Sequence, residues 1–206
     1  MSTPENPHTL QVDFKWKNFQ FLVQDKQTQK PLIIVKHKCL VPHLIFVDAE
    51  TEKTMGTATL HYFSIHADCT IGSQSIQLKA QKRLTTKYSY FSHAYSDDEK
   101  PVVMTWIGSA NLKKWDFTLL DENQEAVARY STNIWALRKV GDIEFVGPKA
   151  GSRAVRDEVA ITVCTIYYCM AVRSTNMFSL FGTAFSDVKP LKAEEERGKE
   201  VSEVVS

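Results

Sequence analysis

Apolar and polar positions alternate along most of the chain, as expected of β-strands that bury one face. Residues 75–84, "SIQLKAQKRL", are the clearest case, because every residue between the inward positions is polar. The inward positions are Ile76, Leu78, Ala80 and Leu84. Lys82 interrupts this row, which a bulge or a strand end at that point would explain. The pattern therefore predicts a strand with one buried face.

Three longer stretches share a second pattern, in which an apolar run leads to an aspartate, a short polar turn and another apolar run. They are residues 19–35, 43–60 and 115–130. Each predicts a hairpin whose aspartate accepts hydrogen bonds from the turn amides: Asp25, Asp48 and Asp121. Further strands are predicted at 75–84, 88–93, 102–106 and 143–146. Ten or more short strands are typical of a sandwich or a barrel.

The stretch "VAITVCTIYYCMAV", residues 159–172, contains no charged residue. As an α-helix it would rise about 21 Å, less than the roughly 30 Å hydrocarbon core of a bilayer, so no transmembrane span is expected. Asp157 and Glu158 precede it and Arg173 follows it, as the helix dipole favours, with Asp157 a plausible N-cap. The sequence predicts a helix over about 157–173.

This predicted helix is apolar on all sides, so it needs an apolar container on all sides. The container available within this chain is its own strands. We therefore predict a mainly β fold, a closed or nearly closed antiparallel β-barrel of about 10–12 strands around a central hydrophobic C-terminal α-helix. Residues 1–12 are expected to be a disordered tail, residues 13–186 the barrel domain, and residues 187–206 a disordered acidic tail.

Composition adds little to this interpretation. The chain has 206 residues, with 25 Lys and Arg against 24 Asp and Glu, so its net charge does not favour nucleic acid as a partner. The polar N-terminus lacks the basic flank and apolar core of a secretory signal, which predicts a cytoplasmic protein, with peripheral attachment to membranes left open. The four cysteines form no C-x-x-C pair and are expected to be reduced.

Motifs for catalysis are absent from the sequence. There is no nucleophile motif, no P-loop and no G-x-G-x-x-G, and neither His61 with His66 nor His37 with His43 has convincing metal-site spacing. The paired acids fall in predicted turns, where carboxyl groups keep ordinary pKa values; they are Asp97, Asp98, Glu99, Asp121 and Glu122. We expect no enzyme, no metal and no cofactor. The four tryptophans, Trp16, Trp106, Trp115 and Trp135, are expected to anchor the core.

The sequence resembles the tubby C-terminal-like superfamily, which includes tubby, LURP-one-related and phospholipid scramblase-like proteins, and it is most similar to small fungal members. The resemblance lies in "WIGSANLKKWDFTLLDENQEAVARYSTNIWALRKVGDIEFVG" followed by "RDEVAITVCTIYYCMAV". These runs look like the superfamily's tryptophan-rich hairpin, its strand pair and its central helix. The resemblance implies a barrel threaded by a helix. No acidic cluster aligns with a scramblase calcium segment.

One basic stretch is a candidate binding site. Residues 69–96 contain no acid, and their cations are Lys79, Lys82, Arg83 and Lys87, followed by several aromatic residues. An ordinary solvated face and a site for an anionic lipid headgroup both fit this pattern. Tubby proteins bind phosphoinositides through basic residues on the barrel wall, so the resemblance implies the second. A secondary basic patch, expected around the helix entrance, comprises Arg138, Lys139, Lys149 and Arg153.

These observations predict a non-catalytic binding module for a phosphoinositide-like headgroup. The alternative is a protein–protein adaptor that uses the aromatic segment "NMFSLFGTAF", residues 176–185, together with the acidic tail.

Overall fold

The computed structural model describes residues 8–61, 65–81, 86–98, 100–110, 114–133 and 139–175. Within these ranges the chain forms twelve strands and one helix. The strands are β1 (Thr9–Lys15), β2 (Gln20–Asp25), β3 (Pro31–His37), β4 (Leu44–Asp48), β5 (Thr54–Leu60), β6 (Ala67–Ile71), β7 (Gln74–Ala80), β8 (Thr86–Ser92), β9 (Val102–Ala110), β10 (Lys114–Leu120), β11 (Ala126–Asn133) and β12 (Lys139–Phe145), and the helix is α1 (Arg153–Thr175).

Each strand pairs antiparallel with the strands before and after it, and β1 pairs with β12 to close the sheet. In this closing pair Leu10 lies opposite Ile143. A closed sheet satisfies the backbone hydrogen bonds of every strand and leaves no edge. The predicted fold class, a closed antiparallel barrel with a C-terminal helix, is confirmed.

The helix lies inside this barrel, because strands on different sides of the sheet contact it. The indole of Trp106 in β9 bonds to Thr162, and Phe21 in β2 packs at 5.8 Å against Tyr167. Ile161 and Ile166 are fully buried. The apolar stretch is therefore enclosed by the protein's own sheet as far as Ile166, as its composition predicts, whereas Tyr167, Tyr168 and residues 170–172 are partly exposed.

The three predicted hairpins are β2–β3, β4–β5 and β10–β11, and their aspartates accept turn amides as expected. The amide of Thr28 donates to Asp25 at 2.7 Å, and the amide of Thr51 donates to Asp48 at 2.8 Å. These backbone hydrogen bonds lower the pKa of both carboxyl groups, because they stabilise the charged form. Asp121 accepts from the amides two and four residues later.

Several predicted boundaries are wrong. Strand β1 begins at Thr9, inside the stretch expected to be a disordered tail, because its partner β12 pairs with it from the far end of the domain. The helix begins at Arg153 instead of Asp157, and the hydroxyl of Ser152 caps it by accepting from the amide of Val155 at 3.4 Å. Strand β7 ends at Ala80, so Lys82 does follow a strand end.

Because successive strands run in opposite directions, the connections alternate between the two ends of the barrel. We call the end where α1 begins the entry end; the polar turns of the three hairpins lie there, and Asp48 contacts Arg153. We call the opposite end the exit end; the β1–β2 and β3–β4 turns lie there, with Tyr168 near the end of α1 at 5.0 Å from His37. The segment 176–185 and the acidic tail lie outside the described residues.

Candidate functional site

Charge is separated between the two ends of the barrel. The connecting sequences at the exit end contain no aspartate or glutamate, counting from sequence alone the residues outside the described ranges. Their cations are Lys17, Lys38, Lys82, Arg83, Lys113 and Arg138. The connecting sequences at the entry end contain Glu50, Glu52, Asp97, Asp98, Glu99, Asp121, Glu122 and Glu125 against Lys26, Lys30, Lys53, Lys100 and Lys149. By sequence, the connections of the exit end therefore carry a surplus of positive charge and those of the entry end a surplus of negative charge.

Two residues of the predicted headgroup site lie together on the outer wall near this end. Lys79 lies opposite Ser89 in the β7–β8 ladder, and Lys87 precedes Ser89 by two residues on the same face. Such diagonal neighbours lie about 7–8 Å apart, with their Cβ atoms somewhat closer, a spacing at which two ammonium groups reach one phosphate-bearing headgroup. Lys82 and Arg83 belong to the connection that follows β7 and lie outside the described residues.

Carboxylates are present on the strands of this half of the barrel. Asp68 accepts hydrogen bonds from His61 at 2.7 Å and from Gln77 at 3.2 Å. Asp13 accepts from Gln11, and Asp116 accepts from Ser131. Each therefore sits among hydrogen-bond donors on the wall, apart from the turns that extend beyond the strands.

The secondary basic patch does not surround the helix entrance as predicted. Lys139 begins β12 at the exit end, whereas Lys149 and Arg153 lie beyond its other end, and the seven residues of the strand separate them by about 20 Å. The ammonium of Lys149 pairs with Asp97 at 2.7 Å and lies 4.9 Å from the ring centre of Tyr95. Arg138 lies outside the described residues.

Arg153 also forms ion pairs within the protein. It pairs with Asp48, and its Nε lies 3.6 Å from Asp157. Burial raises the pKa of Asp157, and the neighbouring guanidinium opposes that shift. This group therefore holds the helix start against the β4–β5 turn, and its positive charge is compensated.

A cavity of about 150 Å³ lies at the entry end beside these residues. It has an apolar floor and a charged rim of Lys30, Asp48, Glu50, Arg153, Arg156 and Asp157. Lys30 pairs with Glu50 at 3.1 Å, so cations and acids balance around it. Pockets for drug-sized ligands usually exceed about 300 Å³. The cavity is small and the charges of its rim balance, so its net charge does not attract an anion.

One buried acid, Glu158, is not evident from the sequence pattern. Glu158 is 3% exposed and points from α1 toward β8, where Ser92 and the amide of Ala94 donate hydrogen bonds to it. Burial raises its pKa, and these hydrogen bonds oppose the shift. The hydroxyl of Tyr90 faces the same carboxyl but makes no hydrogen bond of regular geometry among the described residues. Glu158 does not line the cavity, so this cluster serves the interior of the barrel.

The surroundings of the described histidines and cysteines indicate that these residues support the fold. His43 accepts the amide of Leu60 at 3.0 Å, and Nδ1 of His37 lies 3.0 Å from the carbonyl of Phe19. Among the described residues no group of three or more metal-ligating side chains forms. All four cysteines are free, and Cys39 is the exposed one. The described part of the chain contains no helix that is both long and apolar enough to cross a membrane.

One tryptophan contradicts its predicted role. Trp106 and Trp115 are buried, but Trp16 is 59% exposed in the β1–β2 turn; Trp135 lies outside the described residues. The sequence carries a signal for this difference, since "KWKNF" places aromatic residues in a turn, where polar residues are usual. A second signal is "KCLVP" in the β3–β4 connection.

Comparisons with known proteins give a distant structural neighbour. No protein family matches the chain, and no curated protein matches it. Among solved structures it is similar to the X-ray structure of an Arabidopsis thaliana protein, AT5G01750, with a TM-score of 0.47 and 11% sequence identity. The match covers 77% of this chain and 90% of the plant protein.

Proposed function

We propose that this chain is a non-catalytic binding module of the tubby-like type that recognises an anionic phospholipid headgroup. The observation that supports the proposal is the separation of charge between the connections at the two barrel ends, with Lys79 and Lys87 as diagonal neighbours on the wall beside the end whose connections contain no acid. Lys82 and Arg83 lie between them in sequence and outside the described residues, and they remain candidates from the sequence alone. An arginine is well suited to the bidentate contact that phosphate groups favour.

Titration with inositol trisphosphate tests the proposal, because this soluble headgroup removes any contribution from a membrane. Two exposed ion pairs at up to about 1 kcal/mol each predict that Lys79→Ala with Lys87→Ala weakens binding by up to about 30-fold. The matched control is Lys53→Ala with Lys100→Ala, which removes two exposed lysines from the entry end and should leave the affinity unchanged.

Flotation with vesicles that contain phosphatidylinositol bisphosphate provides the second measurement. Lys82→Ala with Arg83→Ala should abolish capture at moderate salt. Absence of binding by the unmodified protein in both assays would refute the proposal and favour the adaptor alternative. Equal losses of binding in the exit-end and entry-end variants would rule out the proposed site.

A further inference from the structure

We propose that the exit end of the barrel inserts an apolar tip into the interface of an anionic phospholipid bilayer. The apolar tip comprises Trp16 and Phe19 in the β1–β2 turn and Leu40 and Val41 in the β3–β4 connection. The inference takes the anionic lipid from the proposed function but rests on these other residues, which bind the membrane itself and not the headgroup alone.

Exposure is the first observation. Trp16, Phe19, Leu40 and Val41 are 59%, 63%, 79% and 67% exposed. The other large apolar side chains that are exposed among the described residues, Ile107 and Val146, reach only 39%. The four most exposed apolar side chains thus lie in two neighbouring connections at one end. Clustered exposure of this kind marks an interaction surface.

The tip is held in a defined arrangement. The ring of Phe14 packs edge-on against Trp16 at 4.8 Å and against Phe19 at 5.2 Å. His37, at the end of β3, lies 6.5 Å from the ring of Phe19 and contacts its carbonyl. The β1–β2 turn is therefore fixed to the strand that leads to Leu40. A surface ordered in advance loses less conformational freedom on binding.

The backbone of Phe19 gives a second, independent observation. Its φ is 51°, in the left-handed region that bulky residues avoid. The other non-glycine residues with positive φ among the described residues are Gln29, Glu52 and Gln124, and all three are polar residues in turns at the entry end. A glycine or an asparagine would adopt this φ with less strain, so the exposed ring of Phe19 is held at this position at a conformational cost. Such positions point to function.

The charge around the apolar tip indicates the kind of partner that it binds. Exposed lysines surround the tip: Lys15, Lys17, Lys36 and Lys38. Lys15 and Lys36 flank Gln20 on adjacent strands, and residues 14–24 and 26–47 contain no acid. Within the described ranges, the ion pairs of the protein involve none of these four lysines. The tip therefore attracts an anionic surface.

The shape of the tip favours a bilayer over a protein. A protein partner would need a pocket for each of the four projecting side chains, whereas the bilayer interface accepts them without any preformed shape. Tryptophan and phenylalanine are well suited to this interface, and lysines beside them contact the anionic headgroups. Apolar insertion and charge attraction thus act at the same end of the barrel.

Cys39 permits a direct test, because it is exposed within the second connection while Cys69, Cys164 and Cys169 are buried. A dye whose emission depends on polarity is attached to Cys39 of the full chain, and vesicles of phosphatidylcholine with or without phosphatidylserine are added. Insertion predicts a blue shift with phosphatidylserine and quenching by lipids that carry a spin label on the acyl chain. Cys39→Ser controls for labelling elsewhere.

Capture by the same vesicles is measured with unlabelled variants. Trp16→Ser with Phe19→Ser should lower the apparent affinity at least about tenfold. The matched control, Val146→Ser, removes an exposed apolar side chain at the entry end and should change nothing. Inositol trisphosphate should bind both variants as it binds the unmodified protein, since the headgroup site on β7 and β8 is intact, and thermal unfolding verifies that both are folded.

Three outcomes would overturn the inference. Capture without a blue shift, unaffected by the serine substitutions, would mean that the headgroup site acts alone, and the proposed function would survive. Failure of the unmodified protein to bind these vesicles would leave a protein as the partner of the tip. Protection of Trp16 from acrylamide quenching in the lipid-free protein would mean that another part of the chain covers the tip.

Discussion

The indole N–H of Trp106 donates a hydrogen bond of 3.1 Å to Oγ1 of Thr162, which bonds a strand of the wall to the middle of the helix. Both side chains are fully buried, so water cannot replace either partner. Thr162→Val keeps the shape and leaves the indole N–H without an acceptor, which should cost about 1–3 kcal/mol. Urea unfolding followed by circular dichroism measures this loss.

Thr165 provides the control for that measurement. Like Thr162, it donates its hydroxyl hydrogen to a carbonyl of the preceding turn, but within the described part of the chain the one donor that its oxygen accepts from is the thiol of Cys69 at 3.5 Å, and a thiol is a weak donor. Thr165→Val should therefore destabilise the protein less than Thr162→Val does. Equal losses would show that burial of a hydroxyl, and not the indole hydrogen bond, determines the effect.

The buried carboxyl of Glu158 should make stability depend on pH. Burial raises its pKa above the ordinary value of 4.5, so the folded protein holds the proton more tightly than the unfolded chain does. Stability then falls as the pH rises from about 4.5 through the folded pKa, because the native state must accommodate a buried charge. Glu158→Gln removes this dependence.

The measurement is the free energy of unfolding of Glu158→Gln minus that of the unmodified protein, taken at several pH values. This difference should shift in favour of the glutamine variant as the pH rises. Subtraction cancels the contributions of Asp25, Asp48 and Asp157, whose pKa values are also shifted. A difference that is constant across this range would contradict the role assigned to burial.

Gly56 in β5 should tolerate no side chain. A Cβ at this position would lie 2.4 Å from the carbonyl oxygen of Thr70 and 3.1 Å from Cδ1 of Ile161. Gly56→Ala should therefore destabilise the barrel by about 1–3 kcal/mol through overpacking. Gly151→Ala is the control, because nothing lies within 4 Å of its Cβ, and thermal unfolding should separate the two.

At position 19, a glycine variant should be more stable than an alanine variant, which is the reverse of the usual order. With φ at 51°, an alanine keeps the left-handed strain and a glycine removes it, while both lose the contact with Phe14. Phe19→Gly should be more stable than Phe19→Ala by about 1 kcal/mol. Chemical unfolding of the two variants measures this difference, and a more stable alanine variant would show that the turn is not strained.

Local signals account for what could be predicted from the sequence. The three hairpins were recognisable because Asp25, Asp48 and Asp121 bind amides within four residues of themselves. The helix was recognisable because its apolar residues leave no polar face, and the barrel followed from the need to enclose it. Each of these inferences depends on neighbours in sequence or on total apolar content.

The sequence predictions failed where residues that are distant in sequence determine the structure. Thr9 belongs to a strand because it pairs with Glu144, a contact that no local pattern reveals. The exit end collects connections that are scattered along the chain, so only the strand order shows that Lys15, Lys36 and Lys79 lie toward the same end of the barrel. Trp16 was misassigned because an apolar residue near strands resembles a core residue until the turn is placed.

The order of the elements affects how the protein folds during its synthesis on the ribosome. Twelve strands are synthesised before the helix that fills them, and the first strand must wait for the last before the sheet can close. Pairing across so much of the chain is intrinsically slow. We therefore expect the nascent chain to expose the apolar residues of its inner surface until the helix has been translated. During that interval the chain should depend on chaperones.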